Sequence, residues 1–226
     1  MLDLLYNTTF IISTISTFGL KEQIISQHEF NEMIPEDKNA GRFYFNFKVH
    51  KSYTHIPPLR PINSGSGSVT ENISLFVNHY IKDLSHPSYI QDTPDFLRGI
   101  ENINAGQELP ENATLVALDV DGLFTNIPHE DGISTMKEAL DERVNPKVPS
   151  AFIVELMQLV LQNNLFTFHD ATYKQLIGVA MGTHPAPPNA DFSMARKIVK
   201  KIIDLTSLEF ALMLLGQKFT TSPIGI

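Results

Sequence analysis

The sequence predicts an α+β fold, an antiparallel sheet with helices packed on it. Residues 42–49, 165–168 and 173–177 alternate apolar and polar side chains, the period of two of a half-buried strand. Two longer runs, at 73–84 and 152–161, repeat apolar residues every three or four positions, as one face of a helix does. The runs at 165–168 and 173–177 flank His169-Asp170-Ala171, which reads as a β-hairpin.

The elements follow in order. Residues 1–39 mix polar and apolar positions, with a helix expected around 21–34. Residues 42–49 form a strand, the Pro57-Pro58 pair a turn, and 60–63 a returning strand. A Gly/Ser loop spans 64–68. Ser68 and Glu71 have capping-box spacing before a helix carrying Ile73, Phe76, Val77, Tyr80, Ile81 and Leu84. Pro94 starts a shorter helix with Phe96, Leu97 and Ile100, and 103–112 reads as a polar connection. A strand runs to Asp119, a helix covers 132–140, and Pro149 starts another with Phe152, Ile153, Leu156, Val160 and Leu161 on one face. After the hairpin, Gly178 and Met181-Gly182-Thr183 lead into a helix start rich in Pro185, Pro187 and Pro188.

Composition sets outer bounds. A chain of 226 residues with 42% hydrophobic content is long enough for one large domain or two small ones with a buried core. Cysteine is absent, which excludes a disulfide framework and thiolate metal sites. The first 19 residues lack the basic start and continuous apolar run of a signal peptide. No apolar stretch is long enough to span a bilayer, so an intracellular protein is expected, nuclear or cytoplasmic and without a membrane partner. The formal net charge of −8 argues against indiscriminate nucleic-acid binding by the whole surface. Its distribution is uneven: residues 41–70 hold Arg42, Lys48, Lys51, Arg60, His50 and His55 and no acid, interleaved with Phe43, Tyr44, Phe45, Phe47 and Tyr53. This pattern suits phosphate contact plus base stacking; it equally suits an exposed hairpin with basic solvent-facing positions.

The stretch 113–129, ATLVALDVDGLFTNIPH, reads as a buried strand that delivers Asp119 to its end and presents Phe124 five residues later. An acid on a rigid strand can hold Mg²⁺, and a flat side chain nearby can lie beneath a sugar. Taken alone, the stretch also suits a central strand ending in an Asp-Gly turn. In 173–195, YKQLIGVAMGTHPAPPNADFSMA, Gly182 lets backbone approach a ligand closely; taken alone, this is an ordinary strand-to-helix connection.

In order, these segments resemble a reverse transcriptase, specifically the Penelope-like retroelement type related to telomerase. GRFYFNFKVHK looks like that family's FYLLPKIHK segment; RPINS and TENIS follow. LVALDVDGLFTNIPH is similar to LVTLDVTSLYTNIPH, and the later hairpin to the YxQxxGxAMGTxxAP pattern. The resemblance covers 41 to about 195. It implies a right-hand polymerase-like architecture: an N-terminal helical extension (1–40), a fingers-like region (41–112), a partial palm (113–195) and a divergent tail (196–226). It further implies RNA template, DNA primer and dNTP as partners and Mg²⁺ as cofactor. Asp119 matches the first catalytic aspartate, ligand of both ions, with the Val120 carbonyl holding one of them. Phe124, where the family usually has Tyr, matches the aromatic under the sugar. Met181 and Gly182 match the pocket beside template and incoming nucleotide, and Lys48 and Arg60 the cations of the triphosphate site. Lys51 is expected to touch nucleic acid. Asp121 shares Asp119's strand face by alternation and is read as a solvated turn residue.

The departures bear on activity. Asn46-Phe47 replaces Leu-Pro, and His184-Pro185 alters the second motif. After Ala195 there is no Asp-Asp pair, and Asp204 is the sole Asp. Phosphoryl transfer of this kind rests on positioning by two metals. One carboxylate and a carbonyl do not give two Mg²⁺ ions their octahedral oxygens. The chain alone is therefore expected to be catalytically incomplete. Ile198, Val199, Ile202, Ile203 and Leu205 are expected to make an apolar stripe covering the palm, with Arg196, Lys197, Lys200 and Lys201 elsewhere on that helix. Three functional readings stand: a polymerase domain completed by residues outside this chain, a non-enzymatic nucleic-acid binder using Lys48, Lys51 and Arg60, and a relic without selected function.

Overall fold

The computed structural model describes residues 2–35, 39–51, 53–84, 90–106, 114–117, 120, 122–205 and 211–214. Asp119 and Asp121 lie outside the described residues, as do 107–112. So do the side chains of 197–205, which include the expected tail stripe, its lysines and Asp204. The described elements are α1 (Leu2–Lys21), α2 (Gln27–Met33), β1 (Gly41–Phe47), β2 (Leu59–Ser64), α3 (Glu71–Ile81), α4 (Thr93–Gly106), β3 (Thr114–Ala117), α5 (Leu123–Asn126), α6 (His129–Asp141), α7 (Ser150–Gln162), β4 (Leu165–Phe168), β5 (Ala171–Lys174), α8 (Ala186–Leu205) and β6 (Ala211–Leu214). The fold is mixed α and β. Among the described residues no helix is long and apolar enough to cross a membrane.

Two compact units interleave along the chain. The first comprises 1–84 and 123–193 and holds the core; the second comprises 85–122 and 194–226. Within the first, a four-stranded sheet has the order β2-β1-β4-β5. The β1–β2 and β4–β5 pairs are antiparallel hairpins, with Asn46 opposite Arg60 and Phe166 opposite Tyr173. The central β1–β4 pair is parallel, Gly41 beside Phe166 and Arg42 beside Thr167. This corrects the expected all-antiparallel sheet: no hairpin joins β1 to β4, and the helices between them bring the chain back in the same direction. Within the second unit, β3 and β6 pair in parallel, Thr114 beside Ala211 through Ala117 beside Leu214. The strand leading to Asp119 thus belongs to a separate two-stranded sheet. The α4 helix runs on to Gly106, into the stretch expected to be a connection.

The core is organised around α7. Phe152, Ile153, Leu156, Met157, Leu159, Val160 and Leu161 are all buried, each side chain contributing roughly 1.5–3 kcal/mol of transfer free energy. Helices α1, α3 and α6 pack on it, supplying Ile12, Ile73, Val77, Ile81, Met136 and Leu140, each 0% exposed. The expected helix at 21–34 is in fact two, broken at 22–26. The α1 backbone ends with Ile24 and Ile25 N–H groups both donating to the Gly19 carbonyl. The chain restarts at a true capping box, in which Ser26 Oγ accepts from the Glu29 N–H and the Glu29 carboxylate accepts from the Ser26 N–H. The expected box at Ser68–Glu71 does not form: α3 has Thr70 at its N-cap with no side-chain bond, and Glu71 accepts the Gly67 N–H at 2.7 Å.

Candidate functional site

Three local arrangements in the first unit gather most of the residues singled out from sequence. The first is the tip of the β1–β2 hairpin. The chain turns at Lys48, whose N–H donates to the Pro58 carbonyl at 2.8 Å, and the Lys51 N–H donates to the Lys48 carbonyl at 3.0 Å. The turn and the Asn46–Arg60 pairing bring Lys48 and Arg60 to one open pocket of about 320 Å³, lined also by Asn46, Phe47 and His50. Two fixed positive charges in a pocket whose surrounding segment carries no acid make a site for an anion. Lys51 lies exposed just beyond it.

The second arrangement joins the turn after α5 to the segment after β5. The Val179 N–H donates to the Phe124 carbonyl at 2.6 Å and the Gly178 N–H to the Ile127 carbonyl at 3.0 Å. His129 Nε2 lies 2.9 Å from the Gly178 carbonyl and donates in the tautomer carrying its proton there. Gly178 has φ +82°, and a Cβ on it would come within 2.7 Å of the Phe124 and Thr125 carbonyls. Only glycine fits this position. Phe124 is half-buried and packs against the core.

The third holds Gly182 against β2. Gly182 has φ +116°, and a Cβ there would fall 2.9 Å from the Asn63 carbonyl; its own carbonyl lies 3.4 Å from the Gly65 N–H. A chain of amides stands beside it, Asn63 and Asn164 buried and Gln175 half-buried. Asn63 Nδ2 donates to Asn164 Oδ1 at 3.1 Å, Asn164 Nδ2 to Gln175 Oε1 at 2.8 Å, and Gln175 Nε2 to the Ile177 carbonyl at 3.0 Å. These amides tie β2 to the residues that flank the β4–β5 hairpin. Met181 is half-buried and Gly182 exposed, so backbone there is open to a ligand.

The structure therefore brings Lys48 together with Arg60, the Phe124 backbone with Gly178 and Val179, and Gly182 with Asn63 and Ser64. Val120 belongs to the other unit and is 39% exposed. Asp119, the expected ligand of Mg²⁺, lies outside the described residues. Among the described residues no group of three or more His, Asp or Glu side chains is placed to hold a metal ion. Sequence reasoning passed over His50 as a pocket wall and the Asn63–Asn164–Gln175 chain. His50 sits two residues from Lys48 across the turn. The amides gave no signal, because single Asn and Gln residues in hairpins are common and their pairing is purely tertiary. Comparison of the chain with protein-family models and with curated proteins finds no match.

Proposed function

We propose that this chain is the fingers and part of the palm of a reverse transcriptase of the Penelope-like type, able to hold an incoming deoxynucleoside triphosphate but not to extend a primer by itself. The observation that carries the reading is the hydrogen-bonded meeting of 124–129 with 178–179. These are the segments whose sequences resemble the family's first and second palm motifs, and a palm requires them side by side. The Lys48–Arg60 pocket adds an anion site on the hairpin that the resemblance assigns to triphosphate binding.

In this reading Lys48 and Arg60 hold the triphosphate, Arg60 by its planar fork. Phe124 lies under the deoxyribose and penalises a 2′-hydroxyl. Met181 and the open Gly182 backbone line the space for the base pair. Asp119 and the Val120 carbonyl would hold Mg²⁺, which supplies charge neutralisation and nucleophile activation when two ions are present. No Asp-Asp pair for the second ion occurs after Ala195. Binding of a fluorescent dNTP and its ribo counterpart tests the assignment. The Lys48→Ala/Arg60→Ala pair is expected to weaken both by about 10-fold or more, on the order of 1.5–3 kcal/mol for a lost charged hydrogen bond. Phe124→Ala is expected to narrow the gap between the two sugars. Binding untouched by the double substitution removes the triphosphate assignment.

The pocket favours a second reading independent of polymerisation, in which Lys48, Lys51 and Arg60 contact the phosphates of a nucleic acid that is bound but not copied. Equal affinity for triphosphate-free strands in wild type and in Phe124→Ala, with no dNTP binding, selects that reading.

A further inference from the structure

Helix α1 is apolar on both sides. Its inner side is held on the core: Leu5, Thr8, Ile12 and Ser16 are buried, and a Cβ on Gly19 would fall 2.6 Å from the Phe152 ring of α7. The outer side is open. Leu4 is 49%, Phe10 71%, Ile11 41% and Phe18 52% exposed, and at 3.6 residues per turn the four share an arc of about 120°. A surface helix ordinarily carries its charges on this side, yet residues 4–20 contain no Asp, Glu, Lys or Arg. The charges of α1 stand at its two ends, Asp3 in the first turn and Lys21 in the last, and both are exposed. They are about five full turns apart, which puts them on one line of the helix, inside the apolar arc.

We infer that this face pairs with the same face of a second copy of the chain, α1 lying antiparallel on α1 in a two-fold dimer. Charge selects this occupant and its direction. Antiparallel pairing sets Asp3 beside the partner's Lys21 at both ends of a seam about 30 Å long; parallel pairing would oppose Asp3 to Asp3 and Lys21 to Lys21. Antiparallel helix dipoles add to the same preference. One patch used twice is the ordinary construction of a two-fold interface. Leu4, Ile11 and Phe18 recur at every seventh position, the repeat that keeps a helix–helix seam in contact along its length. Phe10 and Ile11 fall near the two-fold, and no charge between the ends has to leave water. A lipid surface fits less well, because helices that lie on membranes carry basic residues along their polar side, and the chain's net charge is −8. The same net charge repels two copies at a distance, but salt at about 0.15 M screens it beyond about 8 Å. The inference involves neither nucleotide nor strand and stands apart from the polymerase reading.

Sedimentation velocity of the full chain over a range of concentrations tests it. Wild type is expected to pass from monomer to dimer as concentration rises and to stop there, and its melting temperature to rise with concentration. Phe10→Lys brings two charges to the two-fold and is expected to stay monomeric, with a melting temperature independent of concentration. Val144→Lys, at an exposed apolar residue between α6 and α7, is expected to dimerise as wild type does. Asp3→Lys and Lys21→Asp each set like charges together at both ends and should weaken the dimer by about 5-fold or more. An equimolar mixture of the two restores opposite charges at both ends and should associate as tightly as wild type. That mixture decides the matter even where Phe10→Lys loses helical circular dichroism. Wild type that is monomeric at about 100 μM, a Phe10→Lys chain that keeps its helix and dimerises, a mixture no tighter than either charge variant, or growth beyond the dimer each overturns the inference. So does a monomer whose binding to neutral phospholipid vesicles is lost in Phe10→Lys, which gives the face to a membrane surface. A chain that dimerises in this way but binds no dNTP sinks the polymerase reading alone.

Discussion

Glu29 ties three segments together through one carboxylate. It accepts hydrogen bonds from the Ser26 N–H and hydroxyl at the start of α2, from Tyr80 of α3 at 3.2 Å and from Lys147 at 3.0 Å. Burial works to raise its pKa; the bonds from Ser26 and Lys147 outweigh burial and hold it down at about 2. A carboxyl lowered on folding stabilises the fold above its unfolded pKa of 4.5, and that contribution is lost as pH falls through the folded value. Glu29→Gln should therefore lower the melting temperature at pH 7, and the gap to wild type should shrink between pH 4.5 and about 2; a gap constant down to pH 2.5 contradicts this account. Ser26-Gln27-His28-Glu29 has the same box spacing as Ser68–Glu71, but it lies inside the helix expected at 21–34, so the sequence indicated a box only at Ser68–Glu71. What separates them is tertiary: Tyr80 and Lys147 reach Glu29, whereas Glu71 turns to the Gly67 N–H.

The elements that read clearly in sequence are those whose burial is one-sided and periodic. The apolar positions 152, 153, 156, 160 and 161 of α7 are all buried, and both hairpins occur, though the second turns more tightly than expected: β5 is Ala171–Lys174 instead of 173–177. Helix α1 was not legible because Thr8, Thr9, Ile11, Ile12, Thr14 and Ile15 are weak helix formers. Tertiary burial of Leu5 and Ile12 overrides that propensity, and Thr8, Thr9 and Thr14 hydroxyls donate to carbonyls one turn back at 2.8–2.9 Å. The parallel β1–β4 join was illegible for a different reason: its two strands are far apart in sequence, and their direction follows from helix packing. If α7 organises the core, Leu156→Ala should cost about 2–5 kcal/mol in urea unfolding. The exposed Leu176 should tolerate alanine with a change within about 0.5 kcal/mol. Comparable losses at both sites would remove α7 from that role.

At the scale of the whole molecule, the functional account joins a charge pattern to a chain topology. A net charge of −8 with an acid-free segment at 41–70 makes the β1–β2 hairpin a place of polyanion attraction, with Arg196, Lys197, Lys200 and Lys201 the competing basic cluster in the sequence, while the sheet and the turn after α5 bring the motif segments together. The basic character of the hairpin was legible in residues 41–70; the shared site of Lys48 and Arg60 and the meeting of 124–129 with 178–179 rested on the resemblance, because nothing local in either segment names the other as its partner. Primer extension on an RNA template is expected to be absent with Mg²⁺ or Mn²⁺, and extension abolished by Asp119→Ala would mean that Asp121 or Asp204 supplies a missing ligand. Template-directed selection of a nucleotide tests the central claim most directly, because it needs positioning but not bond formation. With a DNA primer annealed to an RNA template, a fluorescent dNTP complementary to the next template base should bind the full chain more tightly than the three mismatched ones, and Lys48→Ala/Arg60→Ala should erase that binding. Equal affinity for all four dNTPs, or none for any, would contradict the assignment of this chain to a polymerase.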